Sequence, residues 1–287
     1  MGDCCGKFDK DTLAEVEKYV ALAFHPWGIF AIAADGSYKQ VNSSKWSEAK
    51  VALPDSRGSV TCFHTAAVYS LSYATIDREP KVVHDERWSM AQALVQSRSD
   101  PKHVVCFHVL GMFKVNLNDG NCTQICGDSW AGLQAAVFDP CDDRHAYVFH
   151  SSGLFRVALV DGRSEKLGSD TWGWVRAAVY LPQQQAALVI HALGVFLVQL
   201  KDGSYEKIST TPWSNAMAVF PTRDPLCVMV LDHFGIYSVR IEDGAHRRIC
   251  KDRWSQVSAL APLGSNVFVS SRPYQPEQSQ LVCEAGS

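Results

Sequence analysis

The feature that most constrains this chain is a period. Trp46, Trp88, Trp130, Trp172, Trp213 and Trp254 follow one another at steps of 42, 42, 42, 41 and 41 residues. A phrase recurs in phase with them. Phe107-His108-Val109-Leu110-Gly111 returns as Phe149-His150-Ser151-Ser152-Gly153, as Ile190-His191-Ala192-Leu193-Gly194 and as Phe24-His25-Pro26-Trp27-Gly28. Asp-Gly follows at Asp35-Gly36, Asp119-Gly120, Asp161-Gly162, Asp202-Gly203 and Asp243-Gly244. A fixed period of this length marks a repeat architecture, in which each unit buries its apolar face against the next.

Each unit reads as four short strands. An Ala/Val-rich run after the Trp is the first (216–220), and an apolar run ending at the His is the second (186–191). A run opening at the Gly is the third (153–159), and a fourth follows Asp-Gly (204–208). Asp-Gly predicts a two-residue type I′ hairpin turn, which needs positive φ at both central positions. Helical periodicity is confined to a faint trace at residues 11–19. The expected fold is all-β: a seven-bladed β-propeller of four-stranded antiparallel blades, a single domain over residues 1–287, with six blades as the alternative. In the seven-blade reading both chain ends build the last blade. Residues 6–10 serve as a fourth strand, and 13–20 align with 260–267 as first and second strands. Such a clasp removes open sheet edges.

On these residues the chain resembles the β-propeller repeat families, WD-repeat proteins and tectonin-like lectins, in architecture only. WD repeats carry Gly-His ahead of the first strand and end in Trp-Asp. Here His25, His64, His108, His150 and His191 end second strands, and Trp precedes the first. The resemblance implies a His-centred network that braces each blade, here to loop backbone or to Glu86, Asp128, Asp170 and Asp252, which precede the Trp by two. A fold does not specify a task.

Composition narrows the task. A 287-residue chain that is 47% hydrophobic and 20% charged has ample material for a core. A net charge of −3 excludes a broad nucleic-acid footprint. Ten cysteines without zinc-site spacing read as free thiols, which suits a cytoplasmic protein. The opening Met-Gly-Asp-Cys-Cys-Gly has two readings. One is acylation at Gly2 with Cys4 or Cys5, which would place the protein at a membrane. The other is an ordinary terminus, favoured by Asp3 beside the acceptor and by Gly6 where Ser or Thr belongs.

Residues shared by every unit are expected to be frame: the His as latches, the Trp as wedges between blades. Histidines on separate blades cannot converge on one ion, so no metal and no cofactor is expected. No Gly-x-Ser-x-Gly, phosphate loop or His-Glu-x-x-His is present, and no catalytic residue is assigned. Binding is expected where the pattern breaks. Trp27, Trp174 and Phe234 stand at loop tips of one face and could form an aromatic patch. Four residues after each Trp stand Lys50, Gln92, Gln134, Arg176, Met217 and Ser258, a mostly polar set expected to line the axial channel. Lys50 and Arg176 join the candidate binding residues. The expected function is a non-enzymatic scaffold for a protein or peptide partner. The alternatives are a lectin with inter-blade Trp pockets, and then an enzyme with a site at the channel entrance.

Overall fold

The computed structural model describes residues 18–263 except 55–57, 86–87, 98 and 139–141. Blade 1 holds β1 (Tyr19–His25), β2 (Gly28–Ala33) and β3 (Tyr38–Asn42). Blade 2 holds β4 (Ala49–Pro54), β5 (Ser59–His64), β6 (Val68–Ser72) and β7 (Lys81–His84). Blade 3 holds β8 (Ala91–Val95), β9 (His103–His108), β10 (Gly111–Asn116) and β11 (Cys122–Cys126). Blade 4 holds β12 (Leu133–Phe138), β13 (His145–His150), β14 (Gly153–Ala158) and β15 (Ser164–Leu167). Blade 5 holds β16 (Val175–Leu181), β17 (Ala186–His191), β18 (Gly194–Gln199) and β19 (Tyr205–Ser209). Blade 6 holds β20 (Ala216–Pro221), β21 (Cys227–Asp232), β22 (Gly235–Arg240) and β23 (His246–Cys250). The last strand, β24 (Ala259–Pro262), pairs antiparallel with β1, matching Phe24 with Ala259 and Ala21 with Pro262.

The described residues therefore form six four-stranded antiparallel sheets: the propeller has six blades, the alternative to the expected seven. The reason lies in Trp254. It precedes β24 as every repeat Trp precedes a first strand, so β24 is blade 1's own first strand and the N-terminal segment supplies the other three. Six tryptophans thus open six blades. The strand expected at residues 6–10, and residues 13–17 and 264–267 of the aligned first and second strands, lie outside the described residues, as do Gly2, Cys4 and Cys5.

First strands touch in the cyclic order β24, β4, β8, β12, β16, β20 and back to β24, which closes a ring about one axis. Alanine makes this crowding possible: Ala93, Ala135, Ala177, Ala218 and Ala261 are fully buried on these strands. The core is a set of seams between neighbouring blades. One holds Trp172 with Phe149 and Leu154 of blade 4 and Val189 of blade 5. Each repeat Trp is a wedge in such a seam. Phe24, Phe63, Phe107 and Phe149 pack edge-on against the Trp of the following blade at centroid distances of 5.2, 5.0, 5.2 and 5.4 Å. The backbone stitches the same seams: Trp46 N–H donates to His25 O at 3.2 Å, and Trp254 N–H to His233 O at 3.0 Å.

The Asp-Gly turns differ from the expected two-residue form. Gly162 has φ +75°, but Asp161 does not have positive φ. Its carboxylate instead accepts the Arg163 N–H at 3.1 Å, while Gly162 N–H donates to Ala158 O at 2.9 Å. Residues 159–162 make a four-residue loop closed by Ala158 N–H donating to Arg163 O at 2.9 Å. An aspartate that caps its own loop has no need of left-handed backbone.

Candidate functional site

In each unit the second and third strands meet in a tight turn, on the same face as the Trp loops. Six such turns surround the axis. At five of them the histidine Nδ1 accepts the backbone N–H two residues on. The donors are Trp27, Ala66, Leu110, Ser152 and Leu193, at 3.2, 3.1, 3.1, 3.1 and 3.0 Å. In blade 6 Asp232 Oδ1 does the same for the Phe234 N–H at 3.0 Å. The expected latch is present, and it reaches loop backbone. Of the acids before the Trp, Asp170 faces the Tyr205 hydroxyl at 3.5 Å, Asp252 the Cys250 Sγ at 3.5 Å, Asp128 is exposed, and Glu86 lies outside the described residues.

An Nδ1 that accepts cannot carry a proton, so these rings are neutral Nε2–H tautomers. Burial holds the pKa of His25, His64, His108 and His150 below the ordinary value. His191 is lowered to about 4, first by burial and then by the charges of Arg176 and Lys207. Each ring also stands edge-on in an aromatic cluster, as His191 does against Phe196 at 5.4 Å and Trp172 at 6.4 Å.

The turns are held from below as well. Gln40 Nε2 donates to Trp27 O at 2.6 Å, Gln124 Nε2 to Leu110 O at 3.1 Å, and Arg248 Nη2 to Phe234 O. Arg248, part of the basic run His246-Arg247-Arg248, is thereby a turn brace, and His246 packs edge-on against Trp213 at 5.3 Å. The glycine after the tip is required by space: a Cβ on Gly194, at φ +146°, would lie 2.1 Å from Ser209 O.

What the turns present varies. Trp27 is 70% exposed, Phe234 49% and Trp174 49%. Trp174 O accepts the Ala192 N–H at 3.0 Å, which sets this indole beside the blade 5 turn. Blades 5, 6 and 1 are consecutive in the ring, so the three aromatics occupy one arc of one face. The structure adds Leu193, 62% exposed at the blade 5 tip, and Leu110, 64% exposed at the blade 3 tip. Sequence reasoning misses both because leucine fits the repeat. A signal for them exists all the same: the residue two after the latch is always the tip.

The repeat tryptophans are closed. All six are buried, at most 5% exposed, and the indole N–H groups of Trp46, Trp88, Trp130 and Trp213 are buried without an acceptor among the described residues. An open indole between blades, which sugar stacking there requires, is not present among them. Lys50 and Arg176 stand at equivalent positions on β4 and β16: Lys50 in blade 2, outside the arc, and Arg176 in blade 5, two residues after Trp174. Among the described residues no three His, Cys, Asp or Glu side chains are grouped to hold a metal ion. The six described cysteines are free thiols, and no helix there is long and apolar enough to cross a membrane.

No protein-family model matches the chain, and no curated protein matches it in sequence. Solved structures do match in shape. A chain of the nidogen/laminin complex superposes with TM-score 0.69 at 8% identity, over 86% of this chain and 99% of that one. A putative TolB from Agrobacterium tumefaciens gives 0.57 at 12% identity, over 90% and 99%. TolB from Acinetobacter baumannii gives 0.58 at 12%, over 88% of this chain and 64% of that one. At these identities the likeness is one of fold: the chain is built as a β-propeller.

Proposed function

We propose that the protein is a non-enzymatic interaction module of the cytoplasm, and that the arc of blades 5, 6 and 1 grips a protein or peptide partner. The observation that carries this is the exposure of Trp27 and Phe234 on turns held at both the N–H and the carbonyl of the tip, with Leu193 on a latched turn and Trp174 tied through its carbonyl beside it. Large aromatics in water, on a frame that does not move, are the anchors from which binding hot spots are made. A rigid tip also loses little conformational freedom on binding. The nidogen/laminin match supports the reading in kind, since that fold occurs there within a complex of proteins. Free thiols support the compartment.

Selection of a displayed random-peptide library on the whole protein tests this. Peptides with apolar anchors are expected on the wild type. The W27A/W174A/F234A variant is expected to lose them while its near-UV circular dichroism stays native. Undiminished peptide binding by a natively folded variant would refute the assignment. Binding confined to a glycan array would move the function to carbohydrate recognition.

A further inference from the structure

The first strands β4, β8, β12, β16 and β20 share a local defect. Each shows a register shift, the mark of a β-bulge, between its first and third residues: Ala49/Val51, Ala91/Ala93, Leu133/Ala135, Val175/Ala177 and Ala216/Ala218. The skipped residues are Lys50, Gln92, Gln134, Arg176 and Met217. In blade 1 Ser258, just before β24, takes the same place and donates its N–H to Phe24 O at 2.9 Å. A bulge leaves one residue out of the ladder and re-aims it. Because these strands form the inner ring, the six residues make one tier about the axis, at the end that carries the His turns.

The tier contains no carboxylate. Its two charges are both positive, and β4 and β16 stand three places apart in a ring of six, across the axis from each other. The neutral members are engaged. Gln92 Nε2 donates to Met90 O at 3.2 Å, Gln134 Nε2 to Gly132 O at 3.0 Å, and Ser258 Oγ to Trp46 O at 2.5 Å, while Met217 is buried among blade 6 and blade 1 residues. Lys50 has the exposed Glu48 carboxylate for an anionic neighbour, which also accepts a hydrogen bond from the Thr65 hydroxyl. Arg176 is half-buried, and its Nε is buried with no hydrogen-bond partner among the described residues. Burial lowers its pKa, and its charge bears on His191 and His233.

We propose that this tier is an oxyanion-binding site, in which Arg176 and Lys50 hold one carboxylate or phosphate group on the axis from opposite sides. The guanidinium fork matches the paired oxygens of such a group, and Lys50 adds a point charge. A cation half-removed from water without a counter-charge is unfavourable, and a bound oxyanion reverses that. The tier shares its end of the ring with the aromatic arc, and Arg176 follows Trp174 by two residues, but the site rests on the first strands and not on the aromatic tips.

Calorimetric titration of the whole protein with inorganic phosphate, and separately with acetate, tests the site. Two substitutions reuse residues the tier already holds: Arg176→Met copies Met217, and Lys50→Gln copies Gln92 and Gln134. Saturable one-site binding is expected for the wild type. R176M is expected to weaken it at least about tenfold, because a charged hydrogen bond is lost, and R176M/K50Q to abolish it. The melting temperature of R176M without anion is expected to rise. A response to phosphate alone identifies a phosphoryl ligand, and a response to acetate a carboxylate. Should R176M fail to fold, Arg176→Lys, which keeps the charge but loses the fork, is expected to bind more weakly than wild type. No saturable binding of either anion, or undiminished binding by any folded variant, would overturn the proposal.

Discussion

Blades 1 and 4 have the same turn with opposite tips. His25 and His150 both accept the N–H two residues on, at 3.2 and 3.1 Å, and Gly28 and Gly153 both follow at positive φ. Yet one turn presents Trp27 and the other Ser152. The turn backbone is therefore the same under either tip, although Trp27 packs edge-on against His25 at 4.9 Å and the Ser152 hydroxyl lies 2.7 Å from His150 Nδ1, and what the tip carries is open to selection for contact with something else. Blade 6 adds a second lesson. Asp232 replaces the histidine and keeps the bond, at 3.0 Å, so the turn needs an acceptor rather than an imidazole. The exchange has a cost, because burial raises the Asp232 pKa, whereas a buried neutral histidine needs no charge.

The separation of frame from tip can be broken at several strengths. Trp172→Ala removes a wedge between blades 4 and 5, and guanidinium unfolding should show a loss of about 3–5 kcal/mol. Gly194→Val puts a β-branched side chain where a Cβ has no room, and should cost roughly 1–3 kcal/mol in the same assay. His150→Ala leaves the Ser152 N–H without its acceptor, a loss of about 1 kcal/mol. His150→Asp, which copies the acceptor of blade 6, should lose less, and equal losses would show that the imidazole itself matters.

The latch also sets a pH dependence. The histidines are held neutral in the fold, His191 down to about 4, while the unfolded chain protonates near 6.5, the ordinary imidazole value. The unfolded state then binds more protons at acid pH, so stability is full above about 6.5 and falls as pH drops toward 4. Melting temperatures across that window check it, and His191→Gln should flatten the slope. The smallest effect belongs to the tips. Trp27→Ser and Ser152→Trp should each shift stability by no more than about 0.5 kcal/mol. A larger loss for Trp27→Ser would make that indole part of the frame.

Much of this is legible in the chain. The second strand expected at 186–191 is β17, residue for residue, because its apolar run is bounded by Gln185 and by the His turn. The latch is legible because a histidine at a fixed place in five of the six repeats must do the same work in each of those blades. The blade count comes out as seven from the sequence and six in the fold because a strand's partner is not written next to it. Residues 259–262 pair with 21–24 only once the ring has closed. The site divides the same way. Trp27, Trp174 and Phe234 stand out as departures, but Leu193 and Leu110 do not, since exposure depends on what the neighbouring blades leave uncovered.

By itself the sequence determined the repeating unit: strand length, strand alternation, the latched turn and the Trp wedge. These rest on contacts within about 42 residues, and the same side chains recur to make them. Closure at six blades, the grouping of tips from blades 5, 6 and 1, and the placement of Lys50 and Arg176 on opposite strands of the ring were decided by tertiary structure alone. They depend on the small rotation from each blade to the next, which is summed around the ring and appears in no single repeat.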